Sequence, residues 1–332
     1  MNNDYWEHLA GLTNKMLDHQ AKYLGYGKGP SEVESWKSKM QVCAETLMHF
    51  RSNNISKGNL NFPDRPPYHS TSFTEYPVTP VYENLKATTH VVDMYNKLIS
   101  RLPSSYQNLF SLLAQESLYS AGWGAKPRLI NISGLGLVSE CSIRSSYYAL
   151  RIMQLFKIST RTEPTTFIEI GSGFGMTAEK VLTVNTEAKF IIIDLFPNAS
   201  LALAYISSVF GPDMVRLATG SDQVSAFGKD LLAGNIRCLI LPPWLLPTLS
   251  TKADVVLNTM SFQHMNSQNL EFYSDYFKTI DLRFLYQVNR STVRDPEDVV
   301  VANQPWQSKA EILHEQVIYA SNYIEQFLML RN

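Results

Sequence analysis

Glu169, Gly171, Gly173 and Gly175 stand where an apolar run (Phe167, Ile168, Ile170) gives way to a helix-forming segment, Met176 to Leu182. Lacking a Cβ, glycine lets the backbone turn sharply and lets a ligand reach the main chain. The first amides of the following helix are unpaired and carry the positive end of its dipole. Such a strand–loop–helix makes a nucleotide-type site at the carboxyl edge of a parallel sheet. Ser172 lies inside the loop and belongs to the same candidate binding set. A second apolar run, beginning at Lys189, ends in Asp194 and Leu195. A carboxylate at that place can accept hydrogen bonds from both ribose hydroxyls.

A second informative run is Ala253-Asp-Val-Val-Leu-Asn-Thr-Met-Ser-Phe-Gln-His-Met265, an apolar strand ending in a polar turn. In an open parallel sheet the end of such a strand faces the ligand crevice, which would set Asn258, Thr259, Ser261 and His264 around a ligand's reactive atom. Asp254 begins that strand rather than ending it and reads as structural. Asp222, in Thr-Gly-Ser-Asp, is a second candidate base or a contact to a base ring. Leu241-Pro-Pro-Trp244 reads as a strand end at which Pro243 and Trp244 flank that ring. Arg144 and Arg290 are candidates for pairing with a carboxylate, for which the guanidinium fork is suited.

Spacing separates the possible nucleotides. The dinucleotide fingerprint Gly-x-Gly-x-x-Gly puts its third glycine one position beyond Gly175, which disfavours a nicotinamide-dependent oxidoreductase. The form present, Glu-x-Gly-x-Gly-x-Gly, resembles motif I of the class I S-adenosylmethionine-dependent methyltransferases. With Ile-Asp-Leu-Phe-Pro at 193–197, Asp-Val-Val-Leu-Asn-Thr-x-Ser-Phe-Gln-x-Met at 254–265 and Tyr-x-x-Asn-Arg at 286–290, the chain resembles a sugar O-methyltransferase family over roughly residues 138 to 290. The family pattern favours glutamate where this chain has His264. The resemblance implies S-adenosylmethionine as cofactor and methyl transfer to a hydroxyl of a sugar or glycosylated small molecule, with a non-sugar natural-product hydroxyl as the alternative. Transfer from a sulfonium is an in-line displacement, and a sugar hydroxyl then needs a positioned base. His264 is the first candidate and Asp222 the second. His264, Asp222 and Asp254 have no recognisable metal-ligand spacing, so no metal ligand is assigned and a divalent ion stays open.

These residues have to be carried by an α/β fold, a doubly wound, mostly parallel sheet of class I methyltransferase type. Candidate strands are Phe167–Ile170, Phe190–Asp194, Cys238–Leu241, Val255–Asn258 and Phe284–Val288, with a short extra one at Met214–Ala218. Helices are expected over 176–184, 199–209, 226–232, 265–280 and 309–328, and one from Ile143 to Phe156 leads into the first core strand. The expected division is 1–137, a mostly helical N-terminal cap with a Pro-rich aromatic arm, and 138–332, the cofactor-binding catalytic domain. Within the first part, 3–50 reads as helical, 52–82 as an extended proline-punctuated arm, 84–121 as amphipathic helix broken at Pro103, and 122–140 as a glycine-rich loop.

With 332 residues and 45% hydrophobic content the chain can bury a sizeable core. A net charge of −1 without a block of like charges argues against a nucleic-acid partner. No run approaches the roughly 20 apolar residues of a membrane span. The start of the chain lacks the form of a secretory signal, and Cys43, Cys141 and Cys238 form neither a disulfide framework nor a zinc set. The reading is a cytoplasmic enzyme acting on a small-molecule or glycan acceptor, with homo-oligomer formation open.

Overall fold

The structure, a computed structural model, describes residues 85–115, 130–132, 136–293, 299–318 and 322–331. The expected helices at 3–50, the arm at 52–82 and most of the glycine-rich stretch 122–140 lie outside those residues. In chain order the elements are α1 (Leu85–Ile99), α2 (Ser104–Ala114), β1 (Ile130–Ile132), β2 (Gly136–Val138) and α3 (Glu140–Thr160). There follow β3 (Thr166–Ile170), α4 (Met176–Val184), β4 (Lys189–Ile193), α5 (Phe196–Phe210), β5 (Val215–Leu217) and α6 (Ser221–Ala233). The last are β6 (Cys238–Leu241), β7 (Val255–Thr259), α7 (Ser267–Thr279), β8 (Phe284–Arg290), β9 (Ala310–Ile318) and β10 (Tyr323–Leu330).

Among the described residues the main sheet has eight strands in the order β5-β6-β4-β3-β7-β8-β10-β9. β5, β6, β4, β3, β7 and β8 run parallel, and β10 and β9 are antiparallel to their neighbours. Every residue of β3 is buried, as in a strand covered on both faces. Successive side chains point to opposite faces, so the core divides into two layers. Phe167, Phe190, Ile192, Val255 and Leu257 join one layer with Tyr147 and Leu150 of α3, Val181 of α4 and Leu203 of α5. Ile168, Ile191, Ile193 and Val256 join the other with Leu231 of α6 and Leu270 and Tyr273 of α7. Connections stepping from β3 toward β5 use the first face, and those stepping back use the second. A right-handed crossover requires this alternation.

The chain leaves β3 on one side, to β4, and later returns to its other side at β7. That reversal opens a crevice at the carboxyl ends of β3, β4 and β7, where an open sheet takes its ligand. Helices α1 and α2 contribute Val91, Leu98, Phe110 and Leu113 to the same layer as α3. Helix α3 starts earlier and ends later than expected. The Ser139 side chain caps its start by accepting the Ser142 amide, and Arg161 in left-handed conformation (φ 63°) ends it.

Two expected elements differ. Within the stretch 122–140, expected as loop, β1 and β2 pair antiparallel. The stretch 309–328 is not a helix; it forms β9 and β10, with β10 paired between β8 and β9. A register shift between Phe327 and Leu328 marks a bulge, which breaks the period-two alternation. Exposed Ile312, Leu313 and Val317 on the edge strand β9 further blur the pattern. Among the described residues, no helix is long and apolar enough to cross a membrane.

Candidate functional site

The loop after β3 follows a path reserved for glycine. Gly171 (φ +73°) and Gly173 (φ +62°) both take left-handed conformations. The Gly171 amide donates to the Ile193 carbonyl at 2.8 Å, which ties the loop to the end of β4. A Cβ on Gly171 would lie 1.9 Å from Ser261 Oγ, whereas one on Gly173 would meet nothing within 4 Å. The first glycine is therefore needed for packing between two loops, and the second leaves an open side toward the crevice.

Asp194 is buried at the end of β4. Its Oδ2 accepts the Gly173 amide at 2.7 Å, and its Oδ1 accepts the Leu195 amide at 2.7 Å and Asn198 Nδ2 at 2.8 Å. A carboxylate has roughly four acceptor sites, so the protein occupies three and one on Oδ2 remains. A ribose that binds both hydroxyls here must displace one of those internal donors. Burial pushes the Asp194 carboxyl up to about 7, against the lowering effect of the Gly173, Leu195 and Asn198 donors. Glu169, under the loop, is pushed up to about 8 by burial and further by Asp194, with the Thr177 and Thr259 hydroxyls lowering it.

On the β7 side, Asn258 is fully buried and is not among the residues lining the cavity that these loops enclose. Its Nδ2 donates to the Ile170 carbonyl at 2.7 Å, and its Oδ1 accepts the Phe262 amide at 3.0 Å and Asn289 Nδ2 at 3.1 Å. One carboxamide thus clamps the loop after β3 to the loop after β7. Met260 adopts φ +63°, uncommon for a residue with a side chain, and the chain there turns to lay Ser261 against Gly171. A short 3-10 turn, Phe262–His264, then leads to α7, whose cap residue Asn266 accepts the Asn269 amide.

These loops enclose a cavity of about 290 Å³ lined by Gly171, Gly173, Ile193, Asp194, Leu195, Asn198, Pro243, Ser261, His264, Met265, Asn269 and Tyr273. Of the expected residues, Gly171, Gly173, Asp194, Leu195, Pro243, Ser261 and His264 come together on its wall. Several others do not line it. Glu169 lies under the floor, and Thr259 is half-buried at the end of β7. Gly175 caps α4. The Ser172 hydroxyl is buried with no hydrogen-bond partner among the described residues. Trp244 packs instead on the α3-side core layer. Asp222 is exposed in the first turn of α6. Asp254 binds the Thr165 and Thr166 amides through Oδ2 and braces the start of β3. Arg144 pairs with Glu140 at 3.0 Å and approaches Met260 Sδ at 3.5 Å, and Arg290 is buried with Nε 3.5 Å from the Tyr323 hydroxyl.

Sequence reasoning missed Asn198, Met265, Asn269 and Tyr273. Tyr273 stands four residues after Asn269, a spacing that puts the pair on one face of α7, and Asn198 lies in the first turn of α5, just after Asp194. Asn269 is buried on the cavity wall, and its Nδ2 has no partner among the described residues. A buried donor left unpaired is costly, so it suits a ligand acceptor. Asp194, the open side at Gly173 and the apolar Leu195, Pro243 and Met265 together fit a nucleoside. Among the described residues, no group of three or more His, Cys, Asp or Glu side chains could hold a metal ion.

No protein-family model matches the chain, and no curated protein matches it. Solved structures with which it shares partial similarity include the pyocyanin biosynthetic protein PhzM, at 10% identity over 57% of this chain and 58% of that one, TM-score 0.35. The match thus spans less than two thirds of that protein's length. Others are the plantazolicin methyltransferase BpumL in complex with SAH, at 10% identity over 74% and 100%, TM-score 0.38, and magnesium protoporphyrin IX methyltransferase from Synechocystis PCC 6803 with bound SAH, at 11% over 60% and 90%, TM-score 0.39. At TM-scores of 0.35 to 0.39 the overlap is too partial to assign chemistry. The strand order and the loop geometry stand on their own.

Proposed function

We propose that the protein transfers a methyl group from S-adenosylmethionine to a hydroxyl of a sugar or glycosylated small molecule. The observation that carries this reading is the pairing of Gly173 N–H with Asp194 at the edge of a cavity whose glycine side is open. A loop that approaches a ligand by main chain alone, beside a carboxylate with an acceptor site left, suits the amino-acid tail and ribose of one molecule. Leu195, Pro243 and Met265 supply apolar walls for a base, and the Asn269 amide a donor to its ring nitrogens.

When bound, the cofactor supplies an electrophilic methyl on a sulfonium. This chain's part is to hold that methyl in line with the acceptor oxygen and to exclude water. The position of His264 on the cavity wall supports it as the side chain that meets the acceptor hydroxyl, whereas the other candidate base, Asp222, stands outside the cavity. The sugar acceptor is supported by the runs at 254–265 and 286–290 alone.

Calorimetric titration with S-adenosylhomocysteine tests the cofactor half. Binding is expected, and Asp194→Ala should weaken it by at least tenfold; equal affinity in the variant would overturn the assignment. A titration with reduced nicotinamide cofactor should show none. Transfer of labelled methyl to a panel of sugars, glycosides and aglycone phenols then separates the sugar acceptor from a non-sugar hydroxyl.

A further inference from the structure

The candidate catalytic imidazole has a neighbour that decides where its proton sits. Gln263 is buried, 1% exposed, directly behind the cavity wall. Its Oε1 accepts the backbone amide of Arg290 at 3.1 Å. A carboxamide has one accepting end and one donating end. The main-chain donor therefore fixes which end faces the other way: Nε2, which lies 3.1 Å from His264 Nε2. An amide nitrogen donates and cannot accept, so this contact is a hydrogen bond only if His264 Nε2 accepts it. In a neutral imidazole with its lone pair on Nε2, the proton is on Nδ1.

Gln263 is not able to turn over cheaply. Its own backbone amide donates to Asn289 Oδ1 at 3.3 Å, and Asn289 Nδ2 donates to Asn258 Oδ1 at 3.1 Å and to Gln287 Oε1 at 3.3 Å. Asn258, Gln287 and Asn289 are all fully buried. The same amides that clamp the loops of the cavity hold the glutamine, and reversing it would set two donors against each other at Arg290.

We infer that Gln263 is a positioning residue that fixes His264 as the Nδ1–H tautomer with its basic nitrogen capped, so that the imidazole takes up a proton only if the Gln263 contact opens. In this arrangement the imidazole can donate only through Nδ1, and its accepting nitrogen is already engaged by Gln263. What that does for catalysis rests on the methyl-transfer reading above; the tautomer itself does not.

The test is a long-range nitrogen–proton correlation spectrum of the full chain, labelled at histidine, at neutral pH. His264→Ala identifies the signals by their loss. In the wild type, the expected pattern for His264 is an unprotonated Nε2 and a protonated Nδ1. In Gln263→Glu, one carboxylate oxygen still accepts from Arg290 while the other faces the imidazole as an acceptor, so the proton should move to Nε2 and the two nitrogen shifts should exchange or converge. A protonated Nε2 in the wild type overturns the inference, and so does an unchanged His264 pattern in a folded Gln263→Glu. Should that variant fail to fold, the wild-type spectrum still decides the tautomer. S-adenosylhomocysteine titrated into the same sample reports separately. An Nδ1–H pattern without any binding supports the tautomer and overturns the methyltransferase reading alone.

Discussion

Glu169 carries a titration that the protein holds against its own stability. Burial puts its folded pKa at about 8, above its ordinary 4.5. A raised acid favours folding while it stays protonated. Its contribution is full below pH 4.5, where folded and unfolded chains both hold the proton. It is lost as pH rises toward about 8. Glu169→Gln removes that loss while keeping nearly the same shape. Relative to wild type, the variant should be about as stable at pH 5 and gain on the order of 4 kcal/mol by pH 8.5, each pKa unit being worth about 1.4 kcal/mol. Urea denaturation at the two pH values measures it, and a difference that stays constant with pH would show that Glu169 is ionised in the folded chain. Asp194, raised to about 7 by burial, adds an alkaline loss of its own, and its charge also raises Glu169, so the difference between the two proteins reads the coupled pair.

The cavity is made where two loops meet, and the two glycines of the β3 loop should fail in different ways. Gly171→Ala drives a Cβ to 1.9 Å from Ser261 Oγ in a backbone of φ +73°, so the loops must separate. It should cost about 3 kcal/mol or more, the range of severe core substitutions. Gly173→Ala meets no atom and bears only the left-handed strain, roughly 1–2 kcal/mol. It should fold yet lose S-adenosylhomocysteine affinity at least tenfold, because its methyl occupies the ligand's side. Thermal melting with calorimetry separates the two, and equal binding by wild type and Gly173→Ala would place the ligand elsewhere. The glycine loop, Asp194 and the six parallel strands were legible in the sequence, because buried parallel strands read as apolar runs and the loop needs residues without a Cβ. The partners of Asn258 were not. A polar residue at the end of a strand reads as a ligand contact, and only the fold shows that its amide bridges Ile170 to Phe262. Asn269 and Tyr273 stayed hidden because their importance depends on which face of α7 turns toward β4. In β9 and β10 the bulge broke the period-two pattern by which strands are recognised.

Across the whole molecule, the antiparallel end of the sheet is held to α3 by a buried charge. Glu325 of β10 is fully buried. It accepts the Tyr286 hydroxyl at 2.7 Å and the Tyr147 hydroxyl at 3.2 Å, and Gln316 also donates to it. Arg151 Nε lies 3.5 Å away and His314 Nε2 at 3.2 Å. Burial alone would raise this carboxyl, but His314, Arg151, Tyr286 and Gln316 outweigh it and hold the pKa below 4.5. A lowered acid stabilises the fold above its unfolded pKa and loses that contribution as pH falls through the folded value. The sign is thus opposite to that of Glu169, so the two groups act at opposite ends of the pH range. Glu325→Gln leaves Arg151 buried without its carboxylate, a change that typically costs about 3–5 kcal/mol. The deficit against wild type should shrink below pH 4.5, as the wild-type carboxyl takes up its proton. Because Glu325 does not line the cavity, S-adenosylhomocysteine affinity of the folded variant should match wild type. A deficit that persisted undiminished into acid would mean that something other than the charge of Glu325 joins α3 to the last two strands.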